Sequence, residues 1–182
     1  MCLPYSRDLK KDVGSRMILD LSQLNENVEY YHFKMDTFQS AILLVTKASI
    51  DLRYAYYSIP IAVEHRKFLK FFWKGVLWQF KCLPNGLSSG PRLFTKVMKP
   101  PFATLRAKGH TVLSYLDDSI VIHTSKIQAS KSVNATAELL SELGFIIHPE
   151  KSQFTPVQRI QYLGFIIDSR SMSVTLPQIK KK

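Results

Sequence analysis

Residues 112–123 read VLSYLDDSIVIH, and between two apolar runs stand adjacent carboxylates, Asp117 and Asp118, with no cationic residue beside them. Neighbouring ionised carboxylates repel, and apolar surroundings disfavour the charged form of each, so the pair is costly unless a cation or solvent takes up the charge. Mg²⁺ suits that role, being a hard ion that prefers carboxylate oxygen and shares phosphate ligands with substrates. The same residues also suit an ordinary turn, because Asp side chains bond nearby backbone N–H groups. A third carboxylate, Asp51, lies 66 residues earlier (117 minus 51), in ASIDLRYAYYSIPIA. In an extended strand Ile50, Leu52 and Tyr54 share one face while Asp51, Ala55 and Tyr57 share the other, so Asp51 points off the apolar side. Three carboxylates converging from adjacent strands can hold two Mg²⁺ ions, one activating an attacking oxygen and one stabilising the leaving group of a phosphoryl transfer.

The elements that must position these groups follow from the pattern. Val112 to Leu116 and Ser119 to Ile122 read as the strands of a hairpin with the Asp pair at its tip. Upstream, residues 8–25 read as a hairpin with a basic turn, and 35–47 as a short helix behind an N-cap at Asp36. RKFLKFFWKGVLWQFKC, residues 66–82, has the pattern of a hairpin turning at Lys74-Gly75, its aromatics expected in the core. An irregular loop with Pro84, Gly86 and Gly90 precedes a helix starting near Pro91, with Leu93, Phe94, Val97 and Met98 inward, which Pro100-Pro101 should kink or end. Residues 127–143 read as an amphipathic helix (Ile127, Val133, Ala137, Leu140) closed by Gly144, followed by strands at 145–148 and 162–167. Interleaved hairpins and helices in this order favour α+β with a largely antiparallel sheet.

The chain's 182 residues suit one domain with a real core. Lysine and arginine number 25 against 14 acidic residues, a net of +11, which points to a polyanionic partner. The basic residues are spread along the chain apart from Lys180 to Lys182, which favours a docking surface over a basic arm. No apolar run approaches the roughly 20 residues of a membrane span, so no membrane partner is expected. Cys2 and Cys82 give neither a disulfide framework nor metal-ligand spacing, and MCLPYSRDLKKD lacks the apolar core of a signal peptide. An intracellular location, cytoplasm or nucleus, is expected.

The motifs together resemble reverse transcriptases, in the family's order across nearly the whole chain. DLRYAYYSIP resembles their first catalytic strand, LPNGLSSGPRLFTKVM the loop and helix at the template and nucleotide site, and YLDD at 115–118 their signature Tyr-x-Asp-Asp; HPEKS at 148–152 and YLGFIID at 162–168 follow. The wording FKMDTFQSA, FTKVMKP and YLGFIID looks most like DIRS-like retrotransposons of the tyrosine-recombinase class, with LTR-type elements next.

The resemblance implies a polymerase right-hand palm with partial fingers and no thumb. Fingers would occupy about 1–47 and 61–82, palm about 48–60 and 83–168, and 169–182 the start of a connection to a missing thumb. The implied activity is RNA-directed DNA polymerase. Its cofactor would be two Mg²⁺ ions, with Mn²⁺ a possible substitute, and its partners an RNA or DNA template with primer and deoxynucleoside triphosphates. A truncated non-catalytic nucleic-acid-binding remnant, or an unrelated metal-dependent phosphohydrolase, would account for parts of the pattern.

Residue by residue, Asp51, Asp117 and Asp118 match the catalytic metal ligands, with Asp51 and Asp117 expected to touch both ions most directly, and Lys151 matches the lysine that protonates pyrophosphate. Lys10, Lys11 and Arg16 match triphosphate-holding positions in a loop one residue shorter than the retroviral form; Tyr54, Ala55, Asn85 and Gly86 match other nucleotide-binding positions. Tyr56 matches the aromatic whose ring excludes a 2′-hydroxyl. Tyr115 matches a primer-contacting position, and Leu163, Gly164 and Phe165 match the turn that steadies the primer end. The chain departs from the family where Tyr54 replaces an acidic or polar residue and Asn85 replaces Gln or a large aromatic.

Overall fold

The structure, a computed structural model, describes residues 5–9, 15–34 and 46–177. The expected helix lies outside these residues up to position 45, as do Lys10 and Lys11; Thr46 and Lys47, assigned to its end, instead open a strand.

Two compact units form. The first comprises described residues up to Phe33 together with Tyr54–Phe94; the second takes in Lys34–Arg53 and everything from Thr95. In the first unit β1 (Tyr5–Leu9) and β2 (Ser15–Leu19) pair antiparallel, and the register sets Arg16 opposite Asp8. A single helical turn, α1 (Ser22–Asn25), follows. After two 3₁₀ turns at Ala55–Ser58 and Val63–Phe68, the strands later labelled β4 (Lys70–Trp73) and β5 (Val76–Gln79) make the expected hairpin. Lys74 and Gly75 both carry positive φ, 49° and 76°, as a twist-compatible two-residue turn requires.

The aromatics of this hairpin do not all enter the core. Phe71 is buried with Leu19, Leu21 and Leu69, and Trp73 and Phe80 pack at the margin. Phe68, Phe72 and Trp78 remain about half exposed, at 53%, 51% and 51%. Alternation along β4 turns Phe72 away from the face that buries Phe71; Trp78 stands opposite Phe71, on the same face, but all of β5 is exposed, and Phe68 ends the 3₁₀ turn before the ribbon.

In the second unit β3 (Thr46–Arg53) is the central strand of an antiparallel sheet. β6 (Val112–Tyr115) and β7 (Asp118–His123) lie on one side, with β7 against β3; β8 (Ile146–Ile147) and β9 (Gln153–Val157) share the other edge. Ala48, Ile50 and Leu52 are buried at 3% exposure or less, as the alternation predicts. The strand ends at Arg53, however, and Tyr54 turns left-handed (φ 57°), so the alternation does not extend to Tyr54, Ala55 and Tyr57.

Helix α2 (Gly90–Ala107) begins where expected and runs through Pro100 and Pro101 rather than ending there. Pro at these positions leaves the carbonyls of Lys96 and Val97 without helical partners, and both residues are exposed, so water can serve them. Continuation buries Phe102 and Leu105 beneath the stripe begun by Phe94 and Met98, about 1.5–3 kcal/mol per side chain. Val97, expected inward, is 43% exposed.

Helix α3 (Lys126–Glu142) packs on β3, β7, β8 and β9 through Ala129, Val133, Thr136 and Leu140. Ile127, expected inward, lies off that stripe and is 70% exposed. The strand expected at 162–167 is instead two: β10 (Arg159–Tyr162) and β11 (Phe165–Asp168) pair across a turn at Leu163-Gly164, with β12 (Ser173–Thr175) beyond. Ile120, Ile122, Ile160, Tyr162 and Ile167 form the associated core. The molecule is α+β with antiparallel sheets, as the element order indicated.

Candidate active site

The register of β3 on β7 sets Asp51 directly opposite Asp118. Leu52 N–H donates to Asp117 C=O across this boundary at 3.1 Å, so the backbone polar groups of Asp51 face the other edge. Asp51 and Asp118 are thus a non-hydrogen-bonded pair, the class in which facing side chains lie closest. Asp118 is the first residue of β7 rather than part of the tip, which is Leu116-Asp117, with Leu116 left-handed at φ 54°.

Electrostatics match this crowding. The Asp118 carboxyl is pushed up to about 6, chiefly by burial, then by the charges of Asp117 and Asp51; Lys151 opposes the shift. Asp51 is also raised, first by burial and next by the Asp117 charge, with Lys151 and His148 pulling it back. Hydrogen bonding between the two carboxyls adds to the rise at Asp118 and opposes it at Asp51.

Asp51, Asp118 and Lys151 line one cleft of about 360 Å³, whose far wall is the Leu163-Gly164 turn. Leu163 and Gly164 have φ of 48° and 80°, and no atom lies within 4 Å of where a side chain on Gly164 would start, so the turn is open above. Tyr162 donates its hydroxyl to Asp118 C=O at 3.3 Å, tying this hairpin to the carboxylate strand. Phe165 is 40% exposed, and Tyr115 pairs with Asp118 across β6 and β7.

Whether a cation fits follows from the donors. Asp51 and Asp118 present hard oxygens to one cleft and are destabilised there as anions, which is the chemistry a divalent ion relieves. Among the described residues no group of three or more His, Cys, Asp or Glu side chains is arranged around a common ion position. Asp117 stands at the turn, near enough for its charge to raise both partners, and does not line the cleft.

In the first unit the residues matched to nucleotide binding have local partners. Tyr54 is 55% exposed and stacks near Tyr57 (6.2 Å between centroids), while Ala55 is buried. The Tyr56 ring rests on Phe94 at 5.4 Å. Asn85 donates to the Tyr57 hydroxyl at 2.8 Å. Gly86 has φ +99°, and a Cβ there would meet the Leu19 carbonyl at 3.0 Å; its own carbonyl accepts from Asn25. Arg16 is on β2.

Sequence reasoning missed Ser152 and the Tyr162 hydroxyl. Ser152 accepts the Asp51 N–H at 3.0 Å, and His148 N–H donates to Asp51 C=O at 2.9 Å. HPEKS was visible as a motif, but only pairing geometry reveals which backbone group each residue serves.

The Gag-Pol polyprotein of Avian reticuloendotheliosis virus is 27% identical over 173 residues, covering 88% of this chain and 15% of its own length. Protein P of Duck hepatitis B virus (strain China) is 24% identical, covering 92% and 22%. The Pro-Pol polyprotein of Simian foamy virus type 1 is 24% identical, covering 91% and 14%. The chain therefore spans less than a quarter of the length of these relatives. A foamy viral protease-reverse transcriptase, solved in complex with double-stranded DNA, shares the fold with a TM-score of 0.84 at 23% identity, over 98% of this chain and 31% of that one. Residues 9–167 match the family described as reverse transcriptase (RNA-dependent DNA polymerase), and the chain belongs to that family.

Proposed function

We propose that this chain carries out template-directed nucleotidyl transfer as the palm, with part of the fingers, of an RNA-directed DNA polymerase. The observation that carries the reading is the facing pair Asp51–Asp118 in one cleft with Lys151 and the Leu163-Gly164 turn. The primer 3′-oxygen bonds to the α-phosphorus of a deoxynucleoside triphosphate as the bond to pyrophosphate breaks. Asp51, Asp118 and Asp117 would hold two divalent ions, Mg²⁺ or Mn²⁺, which supply activation of the attacking oxygen and neutralisation of the leaving group. Lys151, exposed at the cleft, gives its proton to the departing pyrophosphate. The Leu163-Gly164 turn seats the primer end, with Phe165 and Tyr115 as further contacts.

On motif resemblance alone, Lys10, Lys11 and Arg16 hold triphosphate, Tyr54, Ala55, Asn85 and Gly86 contribute to nucleotide binding, and Tyr56 excludes the 2′-hydroxyl. The division into fingers at about 1–47 and 61–82 and palm at about 48–60 and 83–168 rests on the same ground. Solved foamy viral protease-reverse transcriptase structures hold double-stranded DNA or an RNA/DNA hybrid, which supports a primed template as partner here. The net charge of +11 agrees. Within the family, FKMDTFQSA, FTKVMKP and YLGFIID favour a DIRS-like retrotransposon source.

The test is primer extension. The chain receives an RNA template, a DNA primer, deoxynucleotides and Mg²⁺ or Mn²⁺, beside Asp117→Asn. Extension by the wild type and not by the variant is expected; salt-sensitive binding without extension under either metal would overturn the reading in favour of a binding remnant.

A further inference from the structure

The edge of β3 facing away from β7 is served by two short strands with a gap between them. β8 pairs with Leu52 and Arg53, and β9 pairs with Lys47 and Ser49 through an irregular register. Backbone groups alternate in direction along a strand, so the only N–H and C=O pointing into this gap belong to Asp51. No strand reaches them. The turn 148–152 reaches them instead, with the His148 N–H donating to the Asp51 carbonyl and the Ser152 hydroxyl oxygen accepting the Asp51 N–H.

That turn is closed on itself. Lys151 N–H and Ser152 N–H both donate to the His148 carbonyl, at 3.3 and 3.0 Å. One five-residue turn therefore holds both backbone groups of a carboxylate-bearing residue and presents Lys151 to the cleft that Asp51 and Asp118 line. Of the two hydrogen bonds it makes to the Asp51 backbone, the one to Ser152 depends on a side chain. An apolar residue at 152 would leave the Asp51 N–H without an acceptor in a part-buried place.

We infer that Ser152 is a positioning residue of the nucleotidyl-transfer site, its hydroxyl locking Asp51 in register against Asp118 while anchoring the turn that carries Lys151. This rests on the function proposed above for that cleft. Ser152 touches no reacting atom; it acts through Asp51 and Lys151. Groups that orient metal ligands in this way commonly change metal affinity 10- to 100-fold when removed.

The test reads the metal-free protein first. Hydrogen exchange should show the Asp51 amide protected in the wild type, at least tenfold faster in Ser152→Ala, and near wild type in Ser152→Thr, which keeps the oxygen. Titration with Mn²⁺ alone should then show affinity about tenfold lower for Ser152→Ala, with Ser152→Thr and the exposed same-turn control Glu150→Ala unchanged. Equal Asp51 exchange and equal Mn²⁺ affinity in wild type and Ser152→Ala would overturn the inference, as would Ser152→Thr behaving like Ser152→Ala. If Ser152→Ala does not fold, the wild type decides: an Asp51 amide exchanging at the rate of an exposed one overturns it, and a protected amide with intact Mn²⁺ binding in Ser152→Thr supports it. Neither readout needs turnover, so loss of primer extension in the wild type bears on the proposed function and leaves this result standing.

Discussion

Replacing Asp118 by Asn should make the metal-free protein more stable at neutral pH while removing its proposed activity. The Asp118 carboxyl is raised from 3.8 to about 6 by burial and by the charges of Asp117 and Asp51. That rise corresponds to roughly 3 kcal/mol, which solvent on the open side of the cleft reduces to about 1–2 kcal/mol. The sign follows from proton binding. Between about pH 4 and 6 the folded chain keeps the Asp118 proton that the unfolded chain has released, so wild-type stability falls as pH rises through that window and stays low above it. Asn carries no such cost. Urea unfolding in EDTA should therefore show the variant ahead by about 0.5–1 M in midpoint at pH 7.5, for an m-value near 2 kcal/mol/M, with most of the gap gone at pH 4.5. Adding Mg²⁺ should narrow the gap at pH 7.5, because an ion that binds only the folded wild type stabilises it by mass action. A variant no more stable than wild type at pH 7.5, or a gap that does not depend on pH, would refute the account of the pair as a strained anionic site.

Two further substitutions probe the frame. Gly86→Ala should cost about 1–3 kcal/mol in a thermal melt, since φ +99° strains an L-residue and its Cβ would meet the Leu19 carbonyl at 3.0 Å. An unchanged melting temperature would contradict that contact. Lys47 is fully buried, donates to the Ser169 hydroxyl, and is lowered by burial with Asp168 opposing. A lowered folded-state value means the unfolded chain holds the proton longer, so wild-type stability should rise with pH as 10.5 is approached from below; Lys47→Met should lack that slope in alkaline unfolding curves.

The hairpins, both long helices and the approach of Asp51 to the Asp pair were legible because their signals are local: alternation, a Lys-Gly turn, a glycine closing α3. Other features were set by tertiary burial. Pro100 and Pro101 argued for a helix end, and the burial of Phe102 and Leu105 overrode them. Ile127 fitted a helical period, yet the sheet selected the stripe through Ala129 and Val133. Periodicity read through Leu163-Gly164 as strand, because Leu seldom adopts φ near +48°, whereas the family resemblance of YLGFIID implied a turn there. That Asp51 leaves the apolar face could be read from parity; its register opposite Asp118 and the bonds of its backbone with His148 and Ser152 could not, because they depend on how the strands pair and where two short ones stop.

The hairpin of β4 and β5 carries a different consequence, for how the chain behaves in crowded solution. Phe72, Val76, Leu77 and Trp78 are each about half exposed on an edge-bearing ribbon, the kind of surface that recruits a second strand. Lys70, Lys74 and Lys81 flank the apolar runs, which Gly75 and Gln79 help hold to three residues or fewer. These lysines act as gatekeepers, keeping copies of the chain apart by like charge at the point where their backbones would otherwise pair. Colloidal stability at this edge is therefore electrostatic, and it weakens as salt shortens the screening length.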